Sequence, residues 1–120
     1  MSARQNIGRT GEEMAADHLR RHGYVIKARN YRLRNGEIDI IAQKDAVLVF
    51  IEVKTARSSA FGAPATWVDE RKQRRIGRAA ARYLADNEIE DVDCRFDVIA
   101  IDLTAPPHIE HIEDAFWLEE

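Results

Sequence analysis

The segment Val47 to Thr55 reads Val-Leu-Val-Phe-Ile-Glu-Val-Lys-Thr, nine residues whose only charges are Glu52 and Lys54. Its β-branched and aromatic content predicts a strand. Both alternating faces are apolar as far as Ile51, so the strand must be covered on both sides. Such a strand lies inside a sheet flanked by further layers, which predicts an α/β protein. It also makes Glu52 and Lys54 hard to place, because buried ions are costly unless they are paired or used.

The flanking sequence supplies the other layers. Thr10 and Glu13 form a Thr-x-x-Glu capping box that predicts a helix from Thr10 to about His22, stopped by Gly23. Glu12, Ala15, Ala16 and Leu19 share one face of that helix, so an acid points the same way as the packing residues. Tyr24 to Tyr31 reads as a first strand, Asn35-Gly36 as a turn and Glu37 to Gln43 as a second strand. Lys44-Asp45 is a short break before Val47. A second helix spans about Val68 to Asn87, with Ile76, Ala80, Tyr83 and Leu84 on its apolar side. Arg95 to Leu103 and a short Ile109 to Glu113 complete the strands. The order α-β-β-β-α-β implies a mixed sheet flanked by helices. With 120 residues and no linker or repeat, a single domain is expected; Arg57 to Thr66 is the longest irregular stretch.

Charge is distributed unevenly. The net charge is −3, yet residues 1–35 carry eight bases against three acids, and Arg71 to Arg82 is a second basic cluster. From Asp86 to Glu120 twelve acids face Arg95 alone. One pole can thus meet a polyanion while the other stays solvated; two solvated surfaces is the competing reading. Cys94 is the only cysteine, which excludes an internal disulfide and a cysteine-based zinc site. The apolar run Val47 to Ile51 is far too short to span a membrane, and Met-Ser-Ala-Arg-Gln-Asn is not a secretory signal. A reducing cytoplasm is the expected location.

The chemistry concentrates on the second and third strands. Alternation puts Glu37, Asp39 and Ile41 on one face, and Leu48, Phe50, Glu52 and Lys54 on one face of the next strand. A two-residue loop at Lys44-Asp45 pairs Asp39 with Phe50 and sets Asp39 diagonally beside Glu52; a four-residue loop sets the two acids directly opposite. A three-residue loop without a bulge sends Asp39 to the other face. Two carboxylates about 4 Å apart repel by about 4 kcal/mol at an effective dielectric near 20. With Glu12 there are three negative charges, and Lys54 offsets one. The residue of −2 suits a divalent cation, and oxygen-only ligands select Mg2+ or Mn2+. Such an ion supports phosphodiester hydrolysis, with Lys54 stabilising developing charge or positioning water. The competing reading makes Glu52 and Lys54 solvated neighbours on an exposed face, which the apolar surroundings disfavour.

The stretches Asn35-Gly36-Glu37-Ile38-Asp39-Ile40-Ile41-Ala42 and Leu48-Val49-Phe50-Ile51-Glu52-Val53-Lys54-Thr55 closely resemble the YraN family of uncharacterised bacterial proteins. Gly11-Glu12, Phe61-Gly62-x-Pro64, Lys72 and Arg95-Phe96-Asp97-Val98 also fit its pattern. That family resembles the PD-(D/E)XK nuclease superfamily, with a layout similar to archaeal Holliday-junction resolvases. The resemblance implies a restriction-endonuclease-like fold, a catalytic trio of Asp39, Glu52 and Lys54, and Glu12 as the acid from the first helix. It implies cleavage of DNA, branched DNA included, with Mg2+ or Mn2+ bound by Asp39, Glu52 and Glu12, and by analogy a homodimer. Ile38 stands where the superfamily often has proline, and Ala56 separates Lys54-Thr55 from Arg57.

Further candidates carry two readings each. Lys72 either contacts phosphate or snorkels at the surface. Arg71, Arg75, Arg78 and Arg82 form a stripe that either tracks a nucleic-acid backbone or is a solvated helix face. Glu37 reads either as a supplementary ligand or, beside the turn, as simply exposed. His18 and His22 have zinc-ligand spacing, but two imidazoles without a cysteine favour a helix surface; His108 and His111 read as surface residues. Trp67, Phe116 and Trp117 read as packing residues rather than base-stacking ones. The alternative function is a non-catalytic nucleic-acid- or protein-binding module on the same fold, and a third is a structural ion-pair network.

Overall fold

The computed structural model describes residues 3–56, 67–104 and 106–116. Phe61, Gly62 and Pro64, together with Arg57 and Trp117, lie outside the described residues.

Seven elements follow in order: α1 (Ala3–Arg21), β1 (Val25–Leu33), β2 (Gly36–Lys44), β3 (Val47–Ala56), α2 (Glu70–Asp86), β4 (Asp93–Asp102) and β5 (His108–Ile112). Each expected helix and strand is present. The start of α1 is not where the capping box put it. The helix begins at Ala3, and Thr10 is an exposed mid-helix residue. The upstream Ala-Arg-Gln are good helix formers, and a cap signal cannot stop a helix that enters from behind it. Gly23, at φ 86°, turns the chain out of α1 as expected. Asp69 caps α2, its carboxylate accepting from the Lys72 backbone N–H at 2.8 Å.

The strands form one sheet in the order β1-β2-β3-β4-β5. β1, β2 and β3 make an antiparallel meander, β3 and β4 run parallel, and β5 returns antiparallel to β4. A parallel neighbour needs a crossover, and α2 lies within it. The sheet is covered on both faces. Ala15, Ala16 and Leu19 of α1 pack on Ile40, Val49, Ile51, Ile99 and Ile101. On the opposite face Ile76, Ala79 and Ala80 of α2 pack on Ile38, Ile41, Leu48, Phe50 and Val98. The continuous apolar stretch of β3 is therefore buried twice over, as its composition demands. Trp67 is buried in the α2-side core, and Phe116 packs against Phe96. Among the described residues no helix is long and apolar enough to cross a membrane.

Gly36 opens β2 after the Arg34-Asn35 turn and packs against α2. A Cβ there would stand 2.6 Å from the Arg75 carbonyl oxygen and 3.0 Å from the Ala79 nitrogen. The glycine serves this close approach of strand to helix, since its φ is not in the left-handed region. Gly36→Ala should lower unfolding free energy by roughly 1–3 kcal/mol, because helix backbone cannot yield as a side chain can. Urea denaturation of the variant measures it; an unchanged midpoint would mean that α2 is free to shift outward.

The hairpin between β2 and β3 turns one residue later than expected. The ladder runs from Lys44↔Val47 to Ile40↔Ile51, leaving Asp45-Ala46 as the loop. Asp45 takes the left-handed conformation, φ 54°, which aspartate tolerates. Continued one rung past its last pair, this register would set Asp39 opposite Glu52, the directly opposed arrangement, although the loop has only two residues. The shift preserves side-chain parity, so the apolar pattern is undisturbed.

Candidate active site at the opening of two central strands

The recorded pairing of β2 with β3 ends at Ile40↔Ile51, one rung short of the two acids. There the alternation of β2 slips: Ile38 and Ile41, three residues apart, enter the same core. Opposite, Ala28 and Tyr31 of β1 likewise enter one core although three residues apart, with Asn30 between them at φ 52°, and the β1–β2 register itself shifts between Ile26 and Ala28. Asp39 lies inside this irregular step. Its carboxylate turns toward β3 and accepts from the Val53 backbone N–H at 2.8 Å, replacing a ladder bond with a side-chain one. Regular alternation along β2, the basis for the expected face of Asp39, therefore fails locally. The acid is aimed by the slip.

Glu52 is 6% exposed, and its Oε2 has no hydrogen-bond partner among the described residues. Burial pushes its carboxyl up to about 7, and the neighbouring charge of Asp39 pushes in the same direction. Asp39 itself is raised by burial, with the Val53 hydrogen bond opposing. The two acids therefore sit within electrostatic reach of one another, in surroundings that resist charging both. Glu12 approaches from α1. Its Oε1 is likewise buried without a hydrogen-bond partner among the described residues, and burial and then Asp39 raise its carboxyl.

The cation nearest Glu52 is not the one expected. Lys72, half-buried in the first turn of α2, makes a short hydrogen bond to Glu37 Oε1 and lies 3.4 Å from Glu52 Oε1. Both acids hold its ammonium charged against the opposing effect of burial. Lys54 contributes to keeping Glu52 ionised, but less than Lys72 does. Glu37, expected to be exposed, is half-buried; the Lys72 hydrogen bond holds its carboxyl below the usual range. Arg32 adds an exposed contact to Glu37 at 3.4 Å. The sequence offered Glu37 as a supplementary ligand or an exposed residue and not as a partner of Lys72, because that lysine comes from α2, 35 residues away.

The arginine stripe divides. Arg71 and Arg75 join Glu37, Asp69 and Lys72 around an open depression of about 440 Å3. Arg78 is exposed. Arg82 is committed to Asp86 through contacts of 2.9 and 2.8 Å, and stands about 16 Å along the helix from Arg71. A local i,i+4 partner takes it away from any common surface with the site.

The donors fit a hard cation. Asp39 and Glu52 supply only oxygen, and Glu52 Oε2 and Glu12 Oε1 are buried acceptors with nothing to accept from among the described residues. Among the described residues no three donor side chains are grouped closely enough to complete a shell themselves. The arrangement suits an ion held by one or two carboxylates and several waters, as Mg2+ prefers.

A covered mixed sheet with α-β-β-β-α-β order, and acids where two central strands part, defines an α/β protein compatible with a restriction-endonuclease-like fold. The model of "Uncharacterised protein family UPF0102" matches residues 11–101, and the chain belongs to that family, which also carries the YraN name. It is 47% identical over 114 residues to the UPF0102 protein of Geobacter sulfurreducens, covering 93% of this chain and 89% of that one. The UPF0102 protein of Chlorobaculum tepidum is 48% identical over 125 aligned positions, covering 98% and 97%. That of Symbiobacterium thermophilum is 49% identical over 98 residues, covering 82% and 83%.

Proposed function

We propose that this protein is a metal-dependent endonuclease that hydrolyses phosphodiester bonds in DNA, branched DNA included. The observation that carries the reading is Glu52: a carboxylate buried beside a second acid, with an oxygen that has no hydrogen-bond partner among the described residues. Supporting it are the resemblance of Asp39, Glu52 and Lys54 to the PD-(D/E)XK trio, and the cationic depression adjoining the acids. When bound, Mg2+ or Mn2+ supplies Lewis-acid polarisation and an activated water.

The chain's own residues do the rest. Asp39 and Glu52 hold the cation, with Glu12 assisting directly or through water. The Val53 N–H fixes one oxygen of Asp39 so that its carboxylate cannot swing away. Lys54 stabilises negative charge developing on phosphorus or positions water. Lys72, Arg71 and Arg75 meet the flanking phosphates, while Arg78 is a peripheral contact. Two-strand cleavage suits a homodimer.

A second reading, binding without cleavage, is favoured by the net charge of −3 and by the hold of Glu37 and Glu52 on Lys72. Incubation with supercoiled, linear and four-way-junction DNA, with and without Mg2+ or Mn2+, separates the two. Cleavage that requires metal and is blocked by chelator is expected. Shifted DNA mobility without cleavage at any metal concentration establishes the binding module instead.

A further inference from the structure

A second polar cluster lies on the α1 face near β5, and the carboxylate site makes no use of it. Asp97, 0% exposed on β4, is gripped by Arg95 through two 2.9 Å contacts and accepts from the Asp114 N–H at 3.1 Å. Its Oδ2 lies 2.8 Å from Nε2 of His111 on β5. An ionised carboxylate can only accept, so His111 carries its proton on Nε2 and presents a bare Nδ1. That nitrogen stands 3.3 Å from Nε2 of His18 on α1. The next ring along the helix, His22, lies 4.3 Å from His18, centroid to centroid. Its Nδ1 is 2.7 Å from the His18 carbonyl oxygen and so is the protonated nitrogen, which ties His22 to the helix backbone.

We propose that His18 and His111 form a second metal site, for a borderline ion such as Zn2+ or Cu2+, with water completing the shell. Two nitrogens each about 2.05 Å from a tetrahedral ion stand about 3.3 Å apart, which is the separation already present. In the metal-free pair the single N–H proton of His18 sits on Nε2, between the two rings; when an ion binds, that same proton moves to Nδ1 and frees Nε2 to ligate. Asp97 then plays the outer carboxylate that fixes the tautomer of a ligating imidazole and raises its basicity. Imidazole donors select against Mg2+, so the two sites discriminate by chemistry although His18 follows Glu12 by only about 9 Å along α1. The spacing of His18 and His22 hinted at this site. The deciding partner, His111, is 93 residues from His18, and it is mostly buried rather than on the surface.

The test is Zn2+ titration of the tag-free full chain by calorimetry, with Co2+ absorption bands reporting nitrogen ligation. Wild type should bind Zn2+ in the presence of excess Mg2+. His18→Gln and His111→Gln should each weaken binding at least tenfold, and Asp97→Asn by roughly 10–100-fold. Asp39→Asn and Glu52→Gln should leave it unchanged. Circular dichroism checks folding; if His111→Gln is unfolded, the helix-surface variant His18→Gln decides alone. Equal Zn2+ affinity in wild type and His18→Gln, or no Zn2+ binding by wild type, overturns the proposal.

Discussion

Asp39→Asn and Glu52→Gln should each slow metal-dependent DNA cleavage by about 1,000-fold or more, with the fold intact. A bound hard cation stabilises the transition state by several kcal/mol, and losing about 4 kcal/mol corresponds to about 1,000-fold in rate. Asparagine at 39 keeps an oxygen that can accept from the Val53 N–H, so the hairpin opening persists while the charge is lost. Glutamine at 52 keeps the volume of the buried side chain. Initial rates of supercoiled plasmid nicking at saturating Mn2+ measure the effect, with melting curves as the control for folding. Variants that nick at the wild-type rate would place the chemistry elsewhere in the chain.

The same substitution should make the metal-free protein more stable. Glu52 has a folded value of about 7 against an ordinary value of 4.5, so the folded state holds its proton more tightly than the unfolded state does. Stability associated with this group is complete below pH 4.5 and is lost as pH rises through 7, a loss on the order of 3 kcal/mol. Asp39, also raised, acts in the same direction. Asp97 acts oppositely. Despite burial, its His111 and Arg95 partners hold it low, so its stabilisation is complete above its ordinary value and is lost only in stronger acid. His18, held low by burial and its histidine neighbours, loses stabilisation as pH falls below 6.5. Because His18 and Asp97 are common to both proteins, the difference between wild type and Glu52→Gln isolates the acid. At pH 8 the variant should melt about 10 °C higher, with the gap closing toward pH 5. Equal melting temperatures at pH 8 would mean that Glu52 is solvated and ionised without strain.

How much of this was legible depends on the distance over which each residue's partner acts. β3 was plain because burial on both faces leaves a continuous apolar run, and the helices because their apolar periods are long. Asp39 and Glu52 stood out as acids inside such runs. Their opposition was legible only as one of three loop-dependent outcomes, since nothing local decides whether Asp45 turns as the first or second loop residue. The slip around Asn30 and Asp39 leaves no mark in composition. It arises from pairing between strands. Lys72 and Glu37 needed α2 to be laid across the mouth of the hairpin before either could be seen as the other's partner. The stripe Arg71 to Arg82 has perfect helical spacing, yet Asp86, four residues further on, removes its last member. Gly36 resembled a turn residue, and only the α2 backbone shows why a side chain is excluded there.

The account rests on two buried carboxylates that share a divalent cation, and Mn2+ titration by calorimetry at pH 8 tests this without requiring catalysis. Wild type should show saturable binding that is lost in both Asp39→Asn and Glu52→Gln and retained in His18→Gln. Saturable Mn2+ binding of equal strength in all four proteins, or none in wild type, would contradict it.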